Sequence, residues 1–149
     1  MRLVLPDLAA VDRFGAAIAA VLKPGDVVAL SGDLGAGKTT LARAIIMALG
    51  HPGEIPSPSF AIIELYEPPA VRLPLVHADF YRLVDPADAE EIGLDDYRQG
   101  AVLLAEWPEH AGGFAEEPGC LAIALEVAQE GRIAIVEPGA DWLGRLTCP

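Results

Sequence analysis

The run Gly32-Asp33-Leu34-Gly35-Ala36-Gly37-Lys38-Thr39 constrains this chain more than any other segment. It fits G-x-x-x-x-G-K-[ST] in full, a pattern with a defined role only between a strand and the start of a helix. The flanks agree. Val27 to Leu30 is a short, continuously apolar run, as expected of a strand buried on both faces. A helix is predicted from Lys38 to Leu49, which Gly50 can end. Glycines let the backbone wrap an anion with successive N–H groups turned inward. The helix start adds its partial positive charge. Lys38 supplies a mobile cation for the β- and γ-phosphates, and the Thr39 hydroxyl can ligate Mg²⁺. The expected nucleotide contacts are Asp33, Leu34, Gly35, Ala36, Gly37, Lys38, Thr39 and Thr40.

The remaining pattern frames this loop. Arg2 to Leu5 reads as a strand, and Asp7 as the N-cap of a helix over Leu8 to Leu22 with Val11, Phe14, Ile18 and Leu22 on one face. Lys23 to Asp26 is a turn, and Gly53 to Ser59 a loop. Strands are predicted over Ala61 to Tyr66 and Leu73 to Phe80, around Glu67-Pro68-Pro69. Asp85 to Gly93 reads as a short acidic helix that Pro86 can start, and Ala101 to Ala105 as a buried strand. Leu121 to Val127 and Arg132 to Val136 form an expected hairpin around Gln129-Glu130-Gly131, before a last helical turn from Trp142 to Leu146. A β-α-β start followed by a hairpin implies an α/β fold: a single-domain sandwich of the P-loop NTPase type, with a mixed, partly parallel sheet. With 149 residues, 52% hydrophobic and 21% charged, residues 1–149 suit one compact domain and exclude disorder.

Charge limits the partners. The net charge of −12 repels nucleic acid on average. Asp79 to Glu117 holds eleven acids and two arginines, and Asp85 to Asp96 six acids and no base. Two readings fit that stretch: a solvated acidic face, or a docking surface for a basic partner. If RNA is involved, another protein is expected to hold most of it. Cys120 and Cys148 are isolated thiols, and His51, His77 and His110 are scattered, which argues against structural zinc and fits a reducing compartment. MRLVLPDL has no apolar leader core, and no apolar run approaches the ~18 residues needed to span a bilayer. A cytoplasmic protein without membrane attachment, monomeric on its own, is expected.

A phosphate loop needs an acid at the end of a neighbouring strand to organise Mg²⁺. Val102-Leu103-Leu104-Ala105-Glu106 has that form, with Glu106 in the acidic place, although any buried strand can end in Glu. Trp107 either lies against the nucleotide or packs. In His77-Ala78-Asp79-Phe80-Tyr81-Arg82, an extended chain sends His77, Asp79 and Tyr81 to one face and Phe80 to the other. Asp79 can orient an attacking water or merely cap the chain. His77 suits a core histidine or a functional one, and Arg82 a phosphate contact or a partner for the nearby acids. Ser57-Pro58-Ser59-Phe60 is a turn by composition, placed where such proteins often carry a nucleotide-sensing switch. The chain has no asparagine, hence no Asn-Lys-x-Asp guanine reader, which favours ATP.

Together GDLGAGKTT at 32–40, SPSF at 57–60, HADFYRL at 77–83, DDY at 95–97 and AEWPE at 105–109 resemble, in order, the TsaE (YjeE) family. The resemblance runs essentially end to end. It implies a bacterial ATPase that binds ATP and Mg²⁺ and docks on the TsaB–TsaD heterodimer. That pair attaches threonylcarbamoyl to the adenosine beside the anticodon of tRNA, from a threonylcarbamoyl-adenylate made by a separate enzyme. Slow hydrolysis would reset the complex between turnovers, with tRNA met only through the complex. By matching position, Lys38 is the phosphate lysine, Thr39 and Glu106 are the Mg²⁺ residues, Asp79 has a catalytic or switch role, and Trp107 lies close to the nucleotide. Ser59 replaces a threonine common in the family but keeps the hydroxyl. Val11 stands where a threonine near the base is common, so adenine contacts there must be apolar or from backbone.

Two other classes use the same loop. A small-molecule kinase needs extra cations and a lid; only Arg43, Arg72, Arg82, Arg98, Arg132 and Arg145 follow the loop, and no insertion is long enough for a lid. A nucleotide-gated binding module would lack useful turnover. Multiple turnovers separate this module from the ATPase, and phosphate transfer to a metabolite would identify the kinase.

Overall fold

The computed structural model describes residues 1–56 and 63–147. Ser57-Pro58-Ser59-Phe60, the first two residues of the strand expected from Ala61, and Cys148 lie outside the described residues. Among those described, seven strands form one sheet in the order β1 (Arg2–Leu5), β7 (Arg132–Pro138), β6 (Cys120–Val127), β2 (Val27–Ser31), β5 (Val102–Glu106), β4 (Leu75–Asp79) and β3 (Ile63–Tyr66). The middle strands β6, β2, β5 and β4 run parallel, and antiparallel pairs complete both flanks. The sheet is therefore mixed and partly parallel, as the pattern implied.

Successive strand residues point to opposite faces, and two cores follow from that alternation. Val28, Leu30, Val102 and Leu104 join the core under α1 (Leu8–Val21) and α2 (Lys38–Ala48). Val27, Ala29, Leu103 and Ala105 join a smaller core on the other face with Ala89 of α3 (Ala87–Glu91), Leu94 of α4 (Leu94–Tyr97) and Phe114. Asp7 caps α1 by accepting the Ala10 N–H at 2.8 Å. Gly15 lets α1 meet α2 at close range: a Cβ there would lie 2.7 Å from the Ala44 Cβ. None of these helices is long and apolar enough to cross a membrane.

The elements differ from expectation at three places. The acidic helix expected over Asp85 to Gly93 is the shorter α3, and after a left-handed turn at Gly93 (φ 80°) a second short helix, α4, follows that the pattern did not predict. Strand β4 runs over Leu75–Asp79, shorter at both ends than the expected Leu73 to Phe80, so the extended run that would align Tyr81 with His77 and Asp79 stops before it. The last helical turn is a 3-10 turn over Ala140–Trp142, after which the chain bends to lay Arg145 on buried Asp26 at 2.6 and 3.1 Å.

Candidate functional site

Register brings the site together. Leu30 pairs with Glu106 and Glu106 with Asp79, so β2, β5 and β4 end level at one edge of the sheet. The phosphate-loop sequence leaves β2 there and enters α2 at Lys38. Gly32 (φ 137°) makes the exit, and a Cβ on it would sit 2.5 Å from the Leu125 carbonyl oxygen. No other residue fits that turn. A cleft of about 380 Å³ opens beside the loop, faced by Lys38, Thr39, Asp79, Glu106 and Trp107, with Leu34, Gly35, Gly37, Tyr81 and Arg82 around them.

Lys38 is buried, and its Nζ donates to the carbonyl oxygens of Gly32 (2.6 Å) and Asp33 (2.8 Å). It also lies 4.2 Å from the centroid of the Trp107 ring, a cation–π contact. Burial pushes its pKa down, while the carboxylates of Glu106, Glu109, Asp79 and Asp33 oppose the shift.

Glu106 is almost fully buried yet occupied at both oxygens. Its Oε1 accepts from the Thr39 hydroxyl at 2.7 Å, and its Oε2 lies 2.6 Å from His77 Nε2. A carboxylate can only accept, which assigns the proton to Nε2. His77 is wholly buried, and its Nδ1 has no hydrogen-bond partner among the described residues. The histidine is thus neither a self-satisfied core residue nor a ligand in the cleft; it is a brace on the carboxylate.

Asp79 lies beside Glu106, and its Oδ1 accepts the Tyr81 N–H at 3.0 Å. Burial raises its pKa, and Glu106 adds to the rise; the Tyr81 amide, His77 and Lys38 pull the other way. Trp107 adopts φ 56°, a left-handed conformation that costs a non-glycine residue about 1–3 kcal/mol. That turn places the ring over Lys38, with Tyr81 at 5.0 Å and His110 at 5.3 Å between ring centroids. His110 is fixed in turn by Nδ1 contacts to the Phe80 and Tyr81 carbonyl oxygens at 3.1 and 3.0 Å.

Asp33 and Ala36 lie in the loop itself, whereas Thr40 faces away from the cleft. The Asp33 side chain is exposed, and the Ala36 methyl points into the core. Thr40 lines a separate cleft of about 210 Å³ with Val11, Leu5 and Arg132. Arg132, in sequence only one of the cations after the loop, donates to the loop carbonyls of Gly35 and Ala36. Its signal was present only as an arginine following the hairpin glycine; placement needed the strand register.

The donor set suits Mg²⁺. Among the described residues no three His, Cys, Asp or Glu side chains form a metal cage. Mg²⁺ needs none, because it binds through one or two protein oxygens plus phosphate and water. The Thr39 hydroxyl and the Glu106 carboxylate are two such oxygens at the cleft.

Comparisons with known proteins identify the family and the fold. The family model described as "Threonylcarbamoyl adenosine biosynthesis protein TsaE" matches residues 5–134. The tRNA threonylcarbamoyladenosine biosynthesis protein TsaE of Haemophilus influenzae is 37% identical over 123 residues, covering 78% of this chain and 77% of that protein. The Synechocystis protein of the same name is 40% identical over 114 residues, covering 73% and 71%. The crystal structure of Bacillus subtilis YdiB matches with a TM-score of 0.71 at 32% identity, over 96% of this chain and 87% of that one. A phosphate-loop sandwich with Lys38, Thr39 and Glu106 in one cleft, matched over most of its length, thus belongs to the TsaE family.

Proposed function

We propose that this chain binds ATP with Mg²⁺ in the cleft between Lys38 and Glu106, hydrolyses it slowly, and so resets the TsaB–TsaD pair between rounds of N6-threonylcarbamoyladenosine formation on tRNA. The observation that carries the reading is the convergence of Lys38, Thr39, Asp79 and Glu106 at the level ends of three parallel strands.

The chemistry is positioning and electrostatics. Loop amides and the Lys38 ammonium receive the β- and γ-phosphates. Thr39 and Glu106 hold Mg²⁺, which when bound offsets phosphate charge. His77 fixes one Glu106 oxygen and leaves the other toward Thr39 and the cleft. Asp79 orients the attacking water. Water oxygen bonds to the γ-phosphorus, the bond to the β–γ bridging oxygen breaks, and ADP and phosphate leave. Trp107 and Tyr81 shield the Lys38 side of the cleft from bulk water.

The arginines speak against the kinase alternative. Arg43 donates to the Ile55 carbonyl, Arg72 to Ala19, Arg98 pairs with Glu117, Arg132 braces the loop and Arg145 pairs with Asp26. Of the six, Arg82 is the one that lines the phosphate cleft. Calorimetric titration with ATP and Mg²⁺, followed by steady-state phosphate release, tests the site. The wild-type chain should bind and turn over, and Lys38→Ala should bind weakly. Equal affinity and equal phosphate release by Lys38→Ala would refute the assignment.

A further inference from the structure

The back of the phosphate loop is held by one side chain from the far end of the sequence. Arg132 opens β7 just after the hairpin turn, and three of its nitrogens donate to backbone carbonyls. Nε reaches Ala36 O at 3.0 Å, Nη2 reaches Gly35 O at 3.1 Å, and Nη1 reaches Gly131 O at 2.9 Å. A planar guanidinium with fixed forks cannot satisfy three carbonyls in more than one orientation, so the group is locked.

The hairpin that delivers it is locked as well. Gly131 has φ 72°, and a Cβ there would lie 2.1 Å from the Leu5 carbonyl oxygen and 2.6 Å from that of Pro6. The turn is therefore pressed against the chain between β1 and α1. From β6, the Leu125 carbonyl backs Gly32 at the loop's first residue. The β6–β7 hairpin thus forms a rear wall along the loop, with Arg132 the one cation in it.

Peptide geometry gives this wall a consequence. A phosphate cradle works by turning consecutive N–H groups toward the anion, which requires flanking carbonyls to face away. Those of Gly35 and Ala36 are the ones Arg132 captures. The Ala36 N–H also donates to the Asp33 carbonyl oxygen at 3.0 Å, which gives the Gly35–Ala36 unit a second hold; without Arg132 the Ala36–Gly37 unit would flip more readily and present oxygen to the phosphate. The guanidinium also places a fixed positive charge behind the anion site.

We propose that Arg132 is a positioning residue for phosphate binding: it fixes the peptide planes of Gly35 and Ala36 so that the loop is preformed for a polyphosphate. This rests on the phosphate-site reading and extends it to a residue outside the loop motif. Arg132 also lines the separate cleft beside Val11 and Thr40, so the alternative is an effect on whatever part of a ligand occupies that cleft.

The test measures the affinity of the full chain for a fluorescent N-methylanthraniloyl-ADP and for inorganic tripolyphosphate, the latter by competition. Arg132→Ala and Arg132→Lys are compared with wild type, and thermal melts of the free proteins are recorded. Loss of two charge-assisted hydrogen bonds to the loop should weaken both probes by roughly tenfold or more in Arg132→Ala. Arg132→Lys, which keeps charge but not the fork, should fall between. Millimolar guanidinium should restore part of the affinity of Arg132→Ala. If that variant does not fold, Arg132→Lys carries the test alone, with a loss of at least about threefold on both probes expected. Unchanged affinity for both probes in a folded variant overturns the proposal. So does a loss confined to the nucleotide, which would put the effect in the Val11 cleft. A wild-type chain that binds neither probe refutes the phosphate site itself.

Discussion

Replacing Glu106 separates two things that this carboxylate does, holding its neighbours and carrying charge. Glu106→Ala removes the acceptor for the Thr39 hydroxyl and for His77 Nε2. His77, wholly buried and already without a partner at Nδ1, would then have two unsatisfied nitrogens. Leaving a buried donor of this kind unsatisfied costs about 1–3 kcal/mol, and the cavity left by the shortened side chain adds to it. For a chain of this size each kcal/mol lowers Tm by about 2–4 °C, so Tm should fall by roughly 2–12 °C or more. Glu106→Gln keeps the shape. Its amide oxygen can accept from His77, and its amide nitrogen can donate to the Thr39 oxygen, so the stability cost should be about 1 kcal/mol. The charge is nevertheless gone. A metal ligand matters at least as much as the outer groups whose loss costs roughly 10–100-fold, so phosphate release should fall by at least that factor. Differential scanning fluorimetry and a coupled phosphate assay over a Mg²⁺ titration read both effects. Full activity in Glu106→Gln would refute the metal role, and equal melting of the two variants would refute the brace.

Three further outcomes follow from the geometry. Gly15→Ala should lower stability, because overpacking against Ala44 costs about 1–3 kcal/mol and exceeds the gain of ~1 kcal/mol in helix propensity; a thermal melt showing no loss would contradict the tight α1–α2 contact. Burial raises the Asp79 pKa above its ordinary 3.8, so the folded state binds the proton more tightly than the unfolded one. Its contribution is therefore most favourable below pH 3.8 and is lost as pH rises through the folded pKa. Asp79→Asn should gain stability over wild type at pH 7, with the gain shrinking toward pH 3.5, while hydrolysis falls; a pH-independent difference in melting would refute the cause. Glu90, Glu91 and Asp95 are exposed on α3 and α4, anchored by buried Ala89 and Leu94. Reversing all three to lysine should weaken association with TsaB–TsaD without changing the ATPase of the free chain; unchanged association would leave that face merely solvated.

The legible parts of this protein are those fixed by short-range chemistry. The loop motif, the cap at Asp7 and the continuous apolar run from Val27 to Leu30 each depend on neighbouring residues, and each stands where it was expected. Glu106 at the end of β5 was read from a strand pattern alone, and register put it beside Thr39. What local pattern could not reach was long-range. The brace from His77 to Glu106 spans 29 positions and the one from Arg132 to Ala36 spans 96, and both exist only because of how strands pair. The strand expected over Leu73 to Phe80 stops one residue early because the ladder between β4 and β5 ends at the pair Asp79–Glu106. Trp107 at φ 56° violates the local preference of its own residue type, as happens where a site requires a particular ring position.

The central claim is that ATP turnover in this cleft permits repeated modification of tRNA. The direct measurement is threonylcarbamoyladenosine formed per TsaB–TsaD complex, with threonylcarbamoyl-adenylate supplied in excess, with and without this chain and ATP. The account predicts more than one product per complex only when both are present, and a single round with Glu106→Gln. Product accumulating equally without ATP, or with Glu106→Gln in place of the wild-type chain, would contradict it.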